Sequence, residues 1–403
     1  MNHTENLSDR VKLLAESATL KMDARSRELK EKGIDVINLS IGEPDFNTPS
    51  CIKEAAKTAI DNNQTHYSPV GGYLALKKAI SEKFRKDNQL DYQPGQIVVS
   101  NGAKQSIANV LLCIVNKGDE VILPAPYWVS YPEMIKLAEG IPVEVSTGIE
   151  TDFKILPEQL EAVITPRTKA FIFSSPCNPT GSVYSGKDLE ALVKVFEKYP
   201  QVYIISDEIY EMINYAGMHS SIASFDSVKE RVITVNGVSK GFAMTGWRIG
   251  YIGAPAVIAK ACDKLQGQYT SGASSISQYA AIKALSNDQF CTDDVKMMKN
   301  AFRDRRDLVL ELLSNIEGVQ TNIPDGAFYV FPKISSYFGK SDGDHVIKDD
   351  NDLCLYLLEK EHVALVPGSA FGAPEYIRIS YATSKEHLVE AMHRIESGLS
   401  NLH

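Results

Sequence analysis

Lys240 stands where lysines are seldom placed. It follows the apolar run Val232–Val235 by way of Asn236, Gly237, Val238 and Ser239. An amine held at the end of a buried strand loses hydration, which lowers its pKa and frees its lone pair to attack a carbonyl. Taken alone, a solvated surface lysine is the ordinary reading. Arg248 lies eight residues on, within Met244–Gly250, and a guanidinium there could lower the amine further or hold a phosphate. Asp207 ends a second apolar run, in the segment Ile204–Tyr210. A turn or cap aspartate is an even alternative. A carboxylate so placed can also stabilise a protonated ring nitrogen and make that ring a better electron sink.

Further polar groups fall at comparable places. Ser100–Gln105 joins an apolar run to a helical pattern, and its small residues would let backbone amides at a helix start approach a phosphate, although a bare loop of this kind is a weak signal. Trp128 follows Pro124-Ala125-Pro126-Tyr127; it is either core or a platform for a flat ring. Asn178, in Ser174–Gly181, sits in a common turn but offers a neutral donor where a ligand oxygen could lie. Arg378 is flanked by Ile377 and Ile379 and shares a strand face with Tyr376 and Ser380. A buried guanidinium needs a partner, and a carboxylate accepted in bidentate fashion is the natural one.

The elements that would position these groups follow a simple rhythm. From about Ile97 short apolar runs (Ile97–Val99, Val121–Leu123, Val143–Val145, Ala170–Phe173, Val202–Ser206, Val232–Val235) alternate with amphipathic stretches such as Ser106–Val115 and Asp188–Lys198. That alternation predicts a mainly parallel sheet covered by helices on both faces. Ligands of such sheets bind beyond the carboxyl ends of the strands. After Ala280 a long charged helix over Asp293–Leu313 leads to strand-like Ala327–Phe331, a helix over Asp352–Lys360, Val363–Val366, Tyr376–Tyr381 and a last helix over Lys385–Leu399, a smaller α+β pattern. Leu7–Asp23 reads as an arm leading into a helix through Lys32, stopped by Gly33. Two further helices are expected over Cys51–Asn62 and Tyr73–Asn88.

Composition narrows the function. At 403 residues, 44% hydrophobic and 23% charged, the chain has room for two or three domains and a large core. A formal net charge of −9 with no basic block disfavours nucleic-acid binding. Cys51, Cys113, Cys177, Cys262, Cys291 and Cys354 have no CxxC spacing and read as reduced thiols. Met1–Arg10 is polar and acid-bearing, unlike an export signal. No apolar run approaches the ~20 residues that span a bilayer. A cytoplasmic enzyme is expected.

Taken together and in this order, the motifs resemble the fold-type I pyridoxal-phosphate aminotransferases of class I/II, and within them the bacterial aspartate aminotransferases that include aspartate/prephenate transaminases. The matching segments are Ile41–Phe46, Tyr67–Gly72, Pro126–Tyr131, Asn178–Gly181, Ser206–Tyr210 and Ser239 through Gly250, and the resemblance covers nearly the whole chain. It implies a large α/β domain with a mainly parallel seven-stranded sheet flanked by helices, plus a smaller α+β domain. Residues 1–48 would be an N-terminal arm and part of the small domain, 49–285 the large cofactor-binding domain, and 286–403 the C-terminal small domain.

The same resemblance assigns roles. Pyridoxal 5′-phosphate would be the cofactor, with no metal. Lys240 would bind its aldehyde, Asp207 its ring nitrogen, and Asn178 and Tyr210 its phenolic oxygen, while Trp128 stacks on the ring. Its phosphate would meet the amides of Ala103 and Lys104, Arg248, and Tyr67 from the partner subunit of a homodimer. Arg378, Asn178, Trp128 and the Gly42 backbone would hold the substrate α-carboxylate. Lys104, with Ser17 and Thr19, would meet the distal carboxylate of aspartate, glutamate or their oxo acids. Prephenate, also a dicarboxylate, and aromatic acids are alternatives. The chain departs from the family at Gly237, where a phosphate-binding serine is common; Ser239 is the nearest substitute.

Three other classes fit the residues less well. A β-lyase on the same cofactor needs a leaving group on its substrate, whereas Lys104 and Arg378 favour a dicarboxylate. A ligand-sensing regulator needs a DNA-binding domain, and about forty residues before Gly42 are too few. A nucleotide enzyme would show GxGxxG or GxxxxGK[ST] opening a helix, and neither is present.

Overall fold

A computed structural model describes residues 7–286 and 289–403; the first six residues of the polar N-terminal stretch therefore lie outside the described residues. Strand β1 is Ile37–Asn38, β2 Ile97–Ser100, β3 Glu120–Ala125 and β4 Ile141–Ser146. Then come β5 Thr168–Ser174, β6 Tyr203–Asp207, β7 Val232–Gly237 and β8 Gly250–Gly253. The central sheet has seven strands in the order β2-β8-β7-β6-β5-β3-β4. Strands β4, β3, β5, β6 and β7 run parallel, and β8 is antiparallel to both β7 and β2.

Both faces of this sheet are covered, which explains the near-continuous apolar runs. Side chains alternate across it: Phe171 and Phe173 of β5 enter one apolar layer, Ala170 and Ile172 the other. Helices seal the layers. Gly186–Phe196 buries Leu189, Leu192, Val193 and Phe196 and is started by a reciprocal capping pair, Ser185 and Asp188. Only β4, at the sheet edge, is largely exposed.

Strand β8 is the element the sequence pattern conceals. Glycines at both ends weaken any strand propensity, but Gly250 has a steric reason. A Cβ there would run into the backbone of Gly102 and Ala103, so only a glycine lets β8 lie beside the start of the helix Ala103–Ile114. The helix expected over Tyr73–Asn88 is α-helical only from Leu74 to Lys83 and widens to a π turn over Phe84–Asn88.

The remaining strands are β9 Tyr329–Val330, β10 Ser341–Asp342, β11 His345–Val346, β12 Val363–Ala364, β13 Val366–Pro367 and β14 Ile377–Ser380. The run Val363–Val366, expected as one strand, serves two sheets. Its first half, β12, pairs in parallel with β1; β13 joins the antiparallel sheet β13-β14-β9. The N-terminal segment is thereby stitched to the C-terminal part. After a short helical turn at Asp9–Lys12, the helix Ala18–Glu31 begins inside the expected arm, and its Met22 and Leu29 share a core with Leu388, Met392 and Ile395 of the last helix, Lys385–Ser400.

One expectation is corrected. Cys51 and Cys291 are joined in a disulfide, with Cα atoms 6.5 Å apart, linking the helix Ser50–Asp61 to the long helix Gln289–Ser314. The two lie 240 residues apart in the chain, so only tertiary packing, not spacing, brings them together. The remaining four cysteines are free thiols.

The loop carrying Gly42 is held to the long helix by Asp45, which accepts both Nη groups of Arg305 at 2.7 and 2.9 Å. Phe46 packs edge-on against buried Phe302 of the same helix, 5.3 Å between centroids. Replacing Phe302 by Ala should destabilise the fold by about 3–5 kcal/mol, the range for emptying a large aromatic from a core, read as a lowered denaturation midpoint.

Candidate active site

The carboxyl ends of β5, β6 and β7 open onto a cavity of about 280 Å³ lined by Gly42, Lys104, Trp128, Asn178, Asp207, Tyr210, Lys240, Arg248 and Arg378. Ser17, Thr19, Ala103 and Ser239 line it as well. Of the residues singled out in the sequence, Tyr67 alone is not brought there; it is 100% exposed.

Lys240 is folded in just after β7. Its Nζ donates to the Gly42 carbonyl at 2.5 Å. Burial lowers its pKa to about 8; Arg378 and Arg248 add to that, and Glu43 opposes it. Asp207, the last residue of β6, is 4% exposed. Burial raises its pKa to about 6, against hydrogen bonds from the Tyr131 hydroxyl at 2.7 Å and the Ile209 amide at 3.2 Å. Among the described residues no ion pair joins the two groups, so each faces the cavity with part of its charge unanswered.

Arg378 comes from the other sheet, on β14, and is 2% exposed. One Nη donates to Asn178 Oδ1 at 3.0 Å and the other to the Ser40 carbonyl, while Nε has no partner. The guanidinium lies 4.6 Å from the Tyr329 ring centroid and 5.1 Å from that of Phe371. Among the described residues no carboxylate pairs with it. Leaving a buried cation in that condition is costly, and the cost is met when an anion enters from outside.

The far end of the cavity suits a second anion. The helix Ala103–Ile114 starts there, preceded by Gly102 at φ +86°, a left-handed conformation that favours glycine. A Cβ on Gly102 would strike the Arg248 guanidinium. Among the described residues Arg248 itself donates only to carbonyls, of Thr245 at 2.8 Å and Asn101 at 3.3 Å. Helix amides and an unneutralised arginine form an anion cradle. Gly237 contributes no side chain and has little room for one: a Cβ would stand 2.9 Å from the Ile249 carbonyl. Ser239, two residues on, lines the cavity.

Trp128 lines the same cavity, braced edge-on by Tyr131 at 5.4 Å and covered on one side by Lys104, whose Nζ is 5.0 Å from its ring centroid. Desolvation, and secondarily Arg248, lowers the Lys104 pKa. The donor set therefore fits a flat ring bearing a phosphate, with an amine at one side, a carboxylate behind it, and a carboxylate-binding arginine beyond.

Among the cavity residues given no role from the sequence, Tyr131 and Tyr329 make the most contacts to the site. Tyr131 lies three residues after Trp128, at the start of the helix Tyr131–Leu137. Tyr329 lies in a strand of the other sheet, and nothing in the pattern marks it. In a neighbouring acidic cluster, Glu208, which strand alternation turns away from Asp207, faces His219 at 3.0 Å, and Glu211 is paired with Lys83.

Two outcomes follow from these charges. Removing the Tyr131 hydroxyl (Tyr131→Phe) leaves burial less opposed, so the Asp207 pKa should climb above about 6, read by NMR titration of labelled aspartate. Lys240 has a folded-state pKa depressed to about 8 from 10.5. Between those values the unfolded chain holds the extra proton, so stability rises with pH there. Lys240→Met should therefore raise the melting temperature of the ligand-free protein below pH 8, and the gain should vanish above pH 10.5.

Comparison with known proteins gives the same answer from a different direction. Residues 34–395 match the family model described as aminotransferase class I and II. An aspartate/prephenate aminotransferase of Nitrosomonas europaea is 47% identical over 398 residues, 98% of this chain and 100% of that protein. A bifunctional aspartate aminotransferase and glutamate/aspartate-prephenate aminotransferase of Petunia hybrida is 48% identical, over 98% of this chain and 83% of that protein. The crystal structure of the aspartate aminotransferase from Rhizobium meliloti superposes with a TM-score of 0.95 at 43% identity, covering 98% and 99% of the two chains. That of Thermus thermophilus with maleate gives 0.92 at 42%, covering 97% and 99%. Among the described residues no helix is long and apolar enough to cross a membrane. A family match over most of the length, and a fold shared at this level, mean that the chain belongs to the class I and II aminotransferases.

Proposed function

We propose that the chain is a pyridoxal-phosphate-dependent transaminase moving the amino group of L-aspartate or L-glutamate to 2-oxoglutarate or oxaloacetate in ping-pong order. The observation that carries this is the pair Lys240 and Asp207, which line one cavity with pKa values of about 8 and about 6. When bound, the cofactor supplies an electron-withdrawing ring that spreads the negative charge left on the amino acid's α-carbon.

The chain's residues do the rest. Lys240, readily neutral, would take the proton from the α-carbon as a base and deliver it as an acid to the cofactor carbon that takes up the amino nitrogen. Asp207 keeps a proton at the ring nitrogen, and Tyr131 keeps Asp207 charged. Asn178 and Tyr210 bind the phenolic oxygen and Trp128 stacks on the ring. Arg248, Ser239 and the amides of Ala103 and Lys104 hold the phosphate. Arg378, with Asn178 and the Gly42 backbone, grips the α-carboxylate, which Coulomb attraction and planarity suit to a guanidinium.

Lys104, which lines the cavity together with Ser17 and Thr19, favours a substrate with a second carboxylate. Leu20 and Val129 line the same cavity, so a prephenate-type or aromatic substrate with an apolar ring is the second reading, in keeping with the names of the relatives. Tyr67 reaches a phosphate in a cytoplasmic homodimer with shared active sites. Its full exposure suits a residue that a partner subunit covers.

Protein reconstituted with pyridoxal phosphate should show a visible absorption band that aspartate bleaches. Lys240→Ala should lose the half-reaction, and normal turnover in that variant would remove the proposal. Arg378→Leu should lower kcat/KM for aspartate roughly 30-fold or more, the scale of losing one partner of a buried charge pair.

A further inference from the structure

Tyr329 touches three parts of the reacting centre, Arg378, Tyr210 and the Gly42 loop, without a role in the reading above. It is fully buried, and its strand β9 lies beside β14, with Ser380 opposite it. Arg378, two residues from Ser380, shares that face. The ring of Tyr329 accordingly backs the Arg378 guanidinium at 4.6 Å. Its hydroxyl lies 2.7 Å from that of Tyr210. The same hydroxyl presses on the loop that receives Lys240: a Cβ on Gly42 would stand 2.5 Å from it, and the Gly42 carbonyl is the acceptor for Lys240 Nζ.

Among the described residues the two hydroxyls have only each other as hydrogen-bond partners. One bond uses one proton and leaves the second free. Either oxygen can be the donor in that bond. Under the function proposed above Tyr210 gives its own proton to the ligand's oxygen, so the proton shared between the two hydroxyls must come from Tyr329.

We propose that Tyr329 is a positioning residue for transamination: its hydroxyl donates to Tyr210 and so aims the Tyr210 proton at the ligand, while its ring face fixes Arg378 and its bulk requires glycine at position 42. The first two roles rest on the function proposed above; the third does not.

Three measurements test it. In the holoenzyme Tyr329→Phe removes only the hydroxyl. Tyr210 then becomes a weaker donor to an anionic ligand oxygen, and the pKa read from the visible band should rise, with KM for aspartate changed less than kcat. Tyr329→Leu removes the ring as well, and should weaken KM and the Kd of succinate by about 2- to 30-fold, the scale of a cation over an aromatic face. Finally, the full chain is melted with and without pyridoxal phosphate as wild type, Gly42→Ala, Tyr329→Phe and the double variant. Gly42→Ala should lower the melting temperature, and Tyr329→Phe should recover part of that loss, since the next ring atom is 3.5 Å away.

An unmoved visible-band pKa in Tyr329→Phe overturns the aiming role, and additive melting losses overturn the contact with Gly42. Absence of a visible band in the wild type would instead remove the function proposed above, and the melting cycle would still decide whether the wedge exists.

Discussion

Two groups of opposite charge are taken out of water at the ends of neighbouring strands and are not allowed to neutralise each other. Desolvation pulls Lys240 down and Asp207 up, and both shifts oppose folding near neutral pH. The surroundings look arranged to hold that condition. Tyr131 and the Ile209 amide keep Asp207 pointed across the cavity, and Gly42 supplies a carbonyl rather than a carboxylate to Lys240. A direct salt bridge would have been better for stability and useless for chemistry, because it would have closed the space a ligand has to enter.

The cavity lies between two apolar cores. Lys240 and Asp207 are carried by the central sheet, Arg378 and Tyr329 by the small antiparallel one. Their separation is therefore a property of how the two bodies pack, which the crossing loop governs. That loop is clamped by the Arg305–Asp45 fork and by Phe46 on Phe302. Interfaces of this kind are the ordinary location of ligand sites, since neither body alone could surround a small molecule.

Much of this was legible in the residues because polar groups at the ends of buried strands stand out against their apolar neighbours. Asp207, Lys240 and Arg378 could each be picked out in that way, and the order of motifs made the resemblance specific. Three things could not be read. Strand β8 is written in glycines, whose reason is a close approach to Ala103 that exists only after folding. The Cys51–Cys291 bond joins residues that no local pattern relates. Tyr329 sits in an apolar strand like many buried tyrosines, and what sets it apart is three contacts to distant segments.

Ile37 pairs with Val363 and Asn38 with Ala364. The strand formed by this early segment thus has no partner until more than three hundred further residues have been made. On the ribosome the central sheet, whose parallel strands all lie within Glu120–Gly237, can close first, since domains tend to fold as units as they emerge. The Gly42 loop and Arg378 are placed only afterwards. A nascent chain would then carry its reactive amine for some time before it had anything with which to grip a substrate.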